Sequence, residues 1–250
     1  MEKDLNSLIR RLRWALAKRV AWRLLAPQKR RLIAQLRKER LTYLSELRLI
    51  GLMKAVERIE RERLSGIIIE AGCALGGSSI LMASLKLPTR YMEVYDVFER
   101  IPAPTQEDPE EVHKQYQKIA NGSAMGIAGD VYYGYLENLY EIVKSNFWKC
   151  GIDLEQNKVT LIKGLLQNTL QIEQPVALAH IDVDWYEPVK ICLQEIAPHL
   201  VIGGSIILDD YYDWGGCRKA TDEYLETTKG QFVYNGFYSS MQLTRVKSQS

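Results

Sequence analysis

Five short apolar runs, separated by longer mixed segments, dominate the pattern of this chain. In chain order they lie at residues 67–69, within TRYMEVYDVF up to Asp96, and at residues 159–162, 176–181 and 205–208. Runs that are apolar throughout are typical of parallel strands that are covered on both faces. The pattern therefore predicts an α/β fold with a doubly wound, Rossmann-like and mostly parallel sheet.

Acidic residues directly follow two of these runs. Asp182 and Asp184 come after the fourth run, and Asp209 with Asp210 comes after the fifth. Ligands of open α/β sheets bind at the carboxyl ends of strands, so we expect both pairs to face one crevice. Carboxylates gathered there repel one another unless a cation lies between them, and oxygen ligands favour Mg2+. The alternative is that these residues are helix N-caps and solvated strand ends.

A glycine-rich turn, with the sequence EAGCALGGSS from Glu70 to Ser79, follows the first run. Glycine lets the backbone turn sharply and approach a ligand, and the predicted helix that follows presents free N–H groups. The glycine spacing departs from the dinucleotide fingerprint GxGxxG, and Glu70 would add negative charge beside a phosphate. The turn therefore favours a cationic ligand such as S-adenosylmethionine.

Two further strand ends fit a nucleoside ligand. Asp96 lies 24 residues after Gly72 (96 minus 72), near the position at which a ribose-binding carboxylate is expected. We expect it to accept hydrogen bonds from both ribose hydroxyls. Gly164 follows the third run, where a glycine lets the chain pass close to the adenine.

The segment between Asp96 and the third run is longer than a crossover connection needs. Residues 107–129 are rich in glycine and polar side chains, which predicts a lid loop over the crevice, and residues 132–147 predict the crossover helix. His113, in this lid, is either a second proton acceptor or a surface histidine without a role.

The first 40 residues are strongly basic. They contain 13 Lys plus Arg and 3 Asp plus Glu, a net charge of +10, so the rest of the chain carries 2 minus 10, or −8. Apolar residues at helical spacing predict a helix that ends at Pro27. Its apolar stripe packs on its own domain or across a homodimer, or the helix lies on anionic lipid. Nucleic acid is not favoured, because no recognition module accompanies the charge.

In their order along the chain, these motifs resemble the macrocin O-methyltransferase (TylF-type) family. The resemblance extends from about residue 42 to about residue 224, and HIDVDWY and DDY are its most specific parts. Segment 96–102, DVFERIP, departs from the family's usual DTFEGLP. The matching segments are residues 42–45, EAGCALGGSS, YDVFERIP, IKGLLQNTL, HIDVDWYEPVK and GGSIILDDYYDWGGCRKATDEY.

The resemblance implies a class I methyltransferase fold, S-adenosylmethionine as methyl donor, Mg2+ as a required ion and a sugar hydroxyl as acceptor. By position, it implies that Asp182, Asp209 and Asp210 are metal ligands and that Asp184 is the general base. Mg2+ would then bind two adjacent hydroxyls and lower the pKa of the one that reacts.

The expected site has a donor part and an acceptor part. The catalytic candidates are Asp184, Asp182 and His113, and the residues expected to line the acceptor site are Tyr43, Trp185, Tyr186 and Tyr211. The residues expected at the donor are Glu70, Ala71, Gly72, Cys73, Gly76, Ser78, Ser79, Asp96, Val97, Gly164 and Asp182.

Other functions can be built on the same carboxylates. A metal-dependent phosphate-ester hydrolase would need a cation at the crevice, for which Lys163, Arg218 and Lys219 are candidates. A noncatalytic binding module would need a degenerate site, yet all four acids are present. Among methyltransferases, a catechol-like aromatic diol is the alternative acceptor, because Mg2+ chelates its adjacent hydroxyls equally well.

Composition places these motifs in one catalytic domain. A chain of 250 residues, 46% of them hydrophobic, can bury one full core. We expect a basic helical extension over residues 1–45 and the catalytic domain over residues 46–250. The four cysteines show no C-x-x-C pairing and indicate reduced thiols. Without a membrane span or signal-peptide pattern, we expect a cytoplasmic protein whose basic helix is the one candidate contact with the inner membrane face.

Overall fold

The computed structural model describes Trp22 and residues 25–247, which form a seven-stranded sheet between helices. In chain order the strands are β1 (Ile67–Ala71), β2 (Met92–Asp96), β3 (Val159–Lys163), β4 (Val176–Ile181), β5 (Leu200–Leu208), β6 (Phe232–Phe237) and β7 (Ser240–Arg245). Their order across the sheet is β3-β2-β1-β4-β5-β7-β6. Strands β1 to β5 are parallel, and β7 is antiparallel to both neighbours. The predicted doubly wound α/β fold is confirmed, and its strand order reverses between β1 and β4.

Helices cover both faces of the sheet. They are α1 (Pro27–Lys38), α2 (Glu46–Arg61), α3 (Gly77–Leu85), α4 (Glu110–Ala120), α5 (Leu139–Lys149), α6 (Leu166–Thr169), α7 (Tyr186–Ile196) and α8 (Gly215–Thr227). One apolar cluster packs helices α1, α2, α3 and α5 on one face, and a second packs α6, α7 and α8 on the other. Every residue of β1 and β4 is buried, as the unbroken apolar runs predicted.

Two strands are longer than the apolar runs that predicted them. Strand β1 continues through Glu70 to Ala71, so Glu70 lies in the strand and not in the turn. Strand β5 begins at Leu200, and Gly203, with a φ of 81°, lies inside it next to an irregularity in the β4–β5 register. The glycine therefore serves a bend within the strand.

The predicted lid loop contains a helix. Helix α4 occupies Glu110–Ala120, with Val112 and Ile119 buried, because an apolar stripe on that segment packs inward. The crossover helix begins at Leu139 and not at residue 132, since Asn138 has a left-handed φ of 56° that separates it from the preceding turn.

The described part of the basic extension packs on the domain. Helix α1 begins at Pro27, and its Ile33 and Leu36 are fully buried in the cluster that contains α2 and α3. The basic helix predicted before Pro27 lies outside the described residues, apart from Trp22, Leu25 and Ala26. Within the part of the chain that is described, no helix has the length and apolar character needed to cross a membrane.

Candidate active site at the carboxyl edge of the sheet

The backbone ladder of the central strands ends where the acidic residues begin. The N–H of Asp182 donates to the carbonyl of Ala71 (2.9 Å), and the N–H of Asp209 donates to the carbonyl of Ile181 (3.0 Å). Strands β4 and β5 therefore end side by side. As a result, one carboxylate oxygen from each of Asp182, Asp209 and Asp210 lies within 4.8 Å of the others. We call these three residues the acid cluster.

Burial and mutual repulsion make the acid cluster costly to ionise. Burial, and then the charge of Asp209, raises the pKa of Asp182 well above its usual value. Burial and the charges of Asp184 and Asp182 do the same to the pKa of Asp210, which is only 6% exposed. The cluster thus has more negative charge than its surroundings neutralise. An oxygen-only set of ligands with this excess charge fits a hard divalent cation such as Mg2+.

Asp184 lies beside the acid cluster. Its φ of 57° is left-handed, which turns the chain directly after β4 and brings its backbone N–H to 3.3 Å from Oδ2 of Asp210. Burial and the charge of Asp209 raise the pKa of Asp184 to about 6, although hydrogen bonds involving Asp210 and Trp214 lower it. A carboxylate in this position is suited to accept a proton at neutral pH.

Three side chains that the sequence analysis did not identify surround Asp209. Arg48 of α2 donates from Nη1 to Oδ2 at 2.8 Å, and Ser240 of β7 donates from Oγ to Oδ1 at 3.0 Å. Nε2 of His180, on β4, lies 3.9 Å from Oδ1. Arg48 and Ser240 come from distant parts of the sequence, so no local spacing could have indicated them, whereas His180 lies two residues before Asp182 within the HIDVDWY motif.

His180 connects Asp209 with Glu70. Its Nδ1 lies 2.9 Å from Oε1 of Glu70, which is fully buried and also accepts a hydrogen bond from the hydroxyl of Ser79. Burial lowers the pKa of His180, but the nearby carboxylate of Asp209 and the hydrogen bond with Glu70 outweigh this effect and raise it to about 10. The resulting imidazolium neutralises the negative charge of Glu70, and this buried pair lies on the core side of the glycine-rich turn.

The glycine-rich turn requires glycine at Gly72 and is tied to Asp96. The φ of Gly72 is 84°, and a Cβ there would lie 2.0 Å from the carbonyl oxygen of Asp182. Asp96 accepts backbone N–H groups from Cys73 (2.8 Å) and Ala74 (3.2 Å) on Oδ2 and from Phe98 (2.7 Å) on Oδ1. Burial raises the pKa of Asp96, and these hydrogen bonds oppose the increase. Since a carboxylate has about four acceptor positions, one remains for a ligand hydroxyl, not the two we expected.

Two clefts meet at the acidic residues. The first, which we call the Gly164 cleft, is also lined by Val97 and Leu165. The second, the Tyr43 cleft, runs between α2 and α4 and is also lined by Arg48 and Lys118. Residues that line both clefts form their common wall, so a group bound at the acid cluster would border both. These residues are Gly72, Asp96, Tyr133, Asp182, Asp184 and Trp185.

The geometry brings together only part of the predicted donor set. The predicted residues that line the Gly164 cleft are Gly72, Asp96, Val97, Gly164 and Asp182. The predicted residues that line neither cleft, and lie behind or within the turn, are Glu70, Ala71, Cys73, Gly76, Ser78 and Ser79.

The predicted acceptor residues divide in the same way. Tyr43 lines the Tyr43 cleft, and Trp185 lines both clefts, with its Nε1 donating to the carbonyl of Pro102 (3.1 Å). Tyr186 and Tyr211 line neither, because their hydroxyls donate to Glu223 (2.6 Å) and Asp222 (2.8 Å) on α8. His113 is on α4 but lines neither cleft, whereas Gln115 and Lys118 of that helix line the Tyr43 cleft. Trp214 is a lining residue that the sequence analysis missed.

Known proteins resemble this chain in sequence. The sequence model described as Macrocin-O-methyltransferase (TylF) matches residues 8–231. The demethyldecarbamoylnovobiocin O-methyltransferase of Streptomyces niveus is 27% identical over 191 residues, which cover 73% of this chain and 67% of that protein. The 8-demethyl-8-(2,3-dimethoxy-alpha-L-rhamnosyl)-tetracenomycin-C 4'-O-methyltransferase of Streptomyces olivaceus is 27% identical over 183 residues, which cover 71% and 64%. The chain thus spans about two thirds of the length of these relatives.

Solved structures resemble it in fold. The O-methyltransferase NovP superposes with a TM-score of 0.69 at 23% identity, covering 83% of each chain. The O-methyltransferase from Bacillus cereus in complex with SAH has a TM-score of 0.57 at 12% identity, covering 94% of this chain and 98% of that one. These likenesses show the class I methyltransferase fold, and the family match covers most of the chain. The protein is therefore an O-methyltransferase that belongs to the macrocin-O-methyltransferase (TylF) family.

Proposed function

We propose that this protein transfers the methyl group of S-adenosylmethionine to a hydroxyl of a sugar moiety, with Mg2+ held at the acid cluster. The acceptor is a glycoside, a glycolipid or a surface-glycan precursor. The observation that carries the proposal is the position of the acid cluster, which lines the Tyr43 cleft and, through Asp182, borders the Gly164 cleft as well. The sugar is supported by the relative whose name specifies a rhamnosyl group and by the mycinamicin III 3''-O-methyltransferase of Micromonospora griseorubida, 26% identical over 193 residues.

The Gly164 cleft is the proposed donor site. S-adenosylmethionine supplies a methyl group that its sulfonium already activates. Gly72 lets the backbone of the turn approach the donor, and Asp96 offers its remaining acceptor position to a ribose hydroxyl. Gly164, with a φ of 149°, leaves room beside Leu165 for the adenine.

The Tyr43 cleft is the proposed acceptor site. Asp182, Asp209 and Asp210 are the ligands proposed for Mg2+, which supplies the charge that lowers the pKa of a bound hydroxyl. Asp184 accepts the proton, because it is the carboxylate beside the cluster that lies on the wall between the two clefts. The ring of Trp214, half-buried in the Tyr43 cleft and packed edge-on against the buried Trp185 at 5.6 Å, is the aromatic surface that orients the sugar.

Phosphate-ester hydrolysis lacks its predicted cations at the site, although Lys118 and Arg48, the latter bound to Asp209 and Asp213, line the Tyr43 cleft. None of the three cations proposed for a phosphate lines either cleft. They are engaged elsewhere: Lys163 with Glu99, Lys219 with Glu107, and Arg218 with the carbonyl of Tyr211. A catechol-like diol stays the second acceptor class, because the aromatic side chains of the Tyr43 cleft also suit a planar ring.

The donor and metal assignments are tested by calorimetry. We expect S-adenosylmethionine to bind the Gly164 cleft and Mg2+ to bind the acid cluster, each as a separate titration. Methyl transfer to a panel of glycosides and catechols then identifies the acceptor class, with chelator-treated protein as the control. Full activity after chelation would remove Mg2+ from the mechanism, and exclusive methylation of catechols would replace the sugar.

Homodimer formation, a cytoplasmic location and contact of the basic helix with the membrane stay predictions. Dimer packing and membrane contact are distinguished by comparing the full chain with a chain beginning at residue 27. Co-sedimentation with vesicles that contain anionic lipid and the oligomeric state are measured for both chains. Lipid contact predicts that only the full chain co-sediments, and only at low salt, since salt screens such charges. Packing across a dimer predicts that the shortened chain becomes monomeric.

A further inference from the structure

Arg48 is the cation that reaches the acid cluster from outside the sheet. It lies in the first turn of α2, where its backbone N–H is capped by Ser45, and its side chain is 16% exposed. Nη1 donates to Oδ2 of Asp209 at 2.8 Å, and Nη2 donates to Asp213. Nη2 also lies 3.4 Å from the carbonyl oxygen of Ser239, in the turn between β6 and β7. One guanidinium therefore connects three separate segments at this point.

Both oxygens of Asp209 are bound by side chains from other segments. Arg48 binds Oδ2, whereas Ser240 binds Oδ1 at 3.0 Å. A carboxylate held by one donor can still rotate about that contact, but one held on both oxygens has a fixed plane. Since one oxygen of Asp209 lies within 4.8 Å of an oxygen of Asp182 and of Asp210, this plane sets how Asp209 faces the acid cluster.

A second arginine on the same helix shows that the connection to β5 does not itself require Arg48. Arg58 donates from Nη1 to the carbonyl of Gly203 (2.8 Å) and from Nη2 to the hydroxyl of Ser205 (2.7 Å), so it also joins α2 to β5. Arg58 lines neither cleft, whereas Arg48 lines the Tyr43 cleft. Both residues hold α2 against the segment around β5, but Arg58 does so through a carbonyl and a hydroxyl, whereas Arg48 binds carboxylates and is the one of the two that touches the acid cluster.

We propose that Arg48 is a positioning residue for the metal site, whose planar guanidinium fixes the orientation of Asp209 for a divalent cation. This inference rests on the proposed binding of Mg2+. Hydrogen-bond partners of metal ligands set the direction of the ligand atoms, and their loss costs about 10- to 100-fold in metal affinity. The opposite possibility is that Arg48 acts mainly as a like charge that repels the cation. The two roles predict opposite signs when Arg48 is neutralised.

The test measures Mn2+ binding by electron paramagnetic resonance, with S-adenosylhomocysteine binding measured by calorimetry on the same samples. We expect Arg48→Met to weaken Mn2+ binding about 10- to 100-fold and to leave S-adenosylhomocysteine binding unchanged. Arg48→Lys keeps the positive charge but lacks the planar guanidinium with its paired N–H donors. We therefore expect its Mn2+ affinity to lie between those of the wild type and Arg48→Met. The matched control, Arg58→Met, removes an equivalent contact of α2 and should bind Mn2+ like the wild type.

The outcomes separate this inference from the proposed function. A wild-type protein that binds no Mn2+ would overturn both the metal and the role of Arg48. Binding by the wild type, with equal or tighter binding by Arg48→Met, would overturn the positioning role alone. If Arg48→Met does not fold, Arg48→Lys tests the positioning role instead. Wild-type Mn2+ affinity in Arg48→Lys would show that the guanidinium is not needed and would overturn the inference. Equal weakening in Arg58→Met would assign the effect to helix packing and overturn the inference.

Discussion

The two halves of the carboxyl edge of the sheet handle negative charge in different ways. At the ends of β1 to β3, the carboxylate of Asp96 is bound by three backbone N–H groups of its own protein. At the ends of β4 and β5, the carboxylates of the acid cluster face one another, and the pKa values of Asp182 and Asp210 are raised well above the usual range. In the half proposed to bind the donor, backbone N–H groups therefore compensate much of the charge of Asp96 before a ligand binds, although burial still raises its pKa. In the half proposed to bind the acceptor, the carboxylates keep an excess of negative charge.

This difference indicates what each half recognises. A carboxylate with one free acceptor position can accept a hydrogen bond from a neutral hydroxyl but adds little electrostatic attraction for the ligand. A cluster of uncompensated carboxylates instead attracts a cation strongly and is ordered by it. Variants on the two sides should therefore affect different ligands, and four predictions test that separation.

The largest effect is expected from Asp209→Asn. Removing an anionic ligand weakens the binding of the cation and, with it, the acidification of the acceptor hydroxyl. Both metal binding and turnover should therefore fall below detection. Metal titration and a methyl-transfer assay measure this, with Asp222→Asn on α8 as the control. Wild-type turnover in Asp209→Asn would remove this residue from the metal site.

Asp184→Asn should separate the base from the metal ligands. We expect turnover to fall about 100- to 10,000-fold, the usual cost of losing general base catalysis, while metal binding is kept. Activity should recover partly at higher pH, where solvent can take the proton. A pH profile of turnover alongside a metal titration measures both effects. If Asp184→Asn no longer bound the metal, the residue would be a ligand.

Asp96→Ala should affect only the donor half. Losing the acceptor of a ribose hydroxyl should weaken S-adenosylmethionine binding by about 1–3 kcal/mol, and three backbone N–H groups lose their partner, so the melting temperature should also fall. Metal affinity should not change. Calorimetry measures both constants, with Glu99→Ala as a matched loss of an acidic side chain. Unchanged donor affinity would show that the ribose is bound elsewhere.

The smallest effect concerns stability. A carboxyl whose pKa is raised on folding stabilises the fold fully below its usual pKa of 3.8, and this stability is lost as the pH rises through the raised value. In chelator at pH 8, Asp210→Asn should therefore be more stable than the wild type by about 1 kcal/mol, or about 2–4 °C in melting temperature. The gap should shrink as the pH falls toward 4. Mg2+ should reverse the order by stabilising only the wild type. Thermal denaturation curves with and without Mg2+ would contradict this if the two proteins had equal melting temperatures throughout.

Much of the fold was predictable, because the strands are local features. An unbroken apolar run indicates a strand that is buried on both faces, and β4 has the bounds that its run predicted. The acids were predictable for the same reason, since they directly follow strands that must end at one edge. The beginning of α5 was wrong because the left-handed Asn138 interrupts a pattern that is otherwise helical.

The rest of the site depends on contacts between distant segments. Neither Arg48 nor Ser240 lies in a motif, and each was recognisable only after folding placed it against Asp209. Side-chain direction was equally hidden: Trp185 and Tyr186 are neighbours in sequence, yet only Trp185 lines the clefts while Tyr186 points to Glu223. Adjacent residues at a helix start point in different directions, and only the packing decides which one faces the site.

The contacts of Asp209 join parts of the chain that are synthesised at very different times. Arg48 is synthesised before any strand of the sheet, and Ser240 is synthesised with β7, after all six other strands. Asp209 thus gains its second hydrogen-bond donor only when β7, the last strand to be synthesised, lies between β5 and β6. Because a domain generally folds as a unit, the acid cluster reaches its final geometry only in a chain that extends through β7.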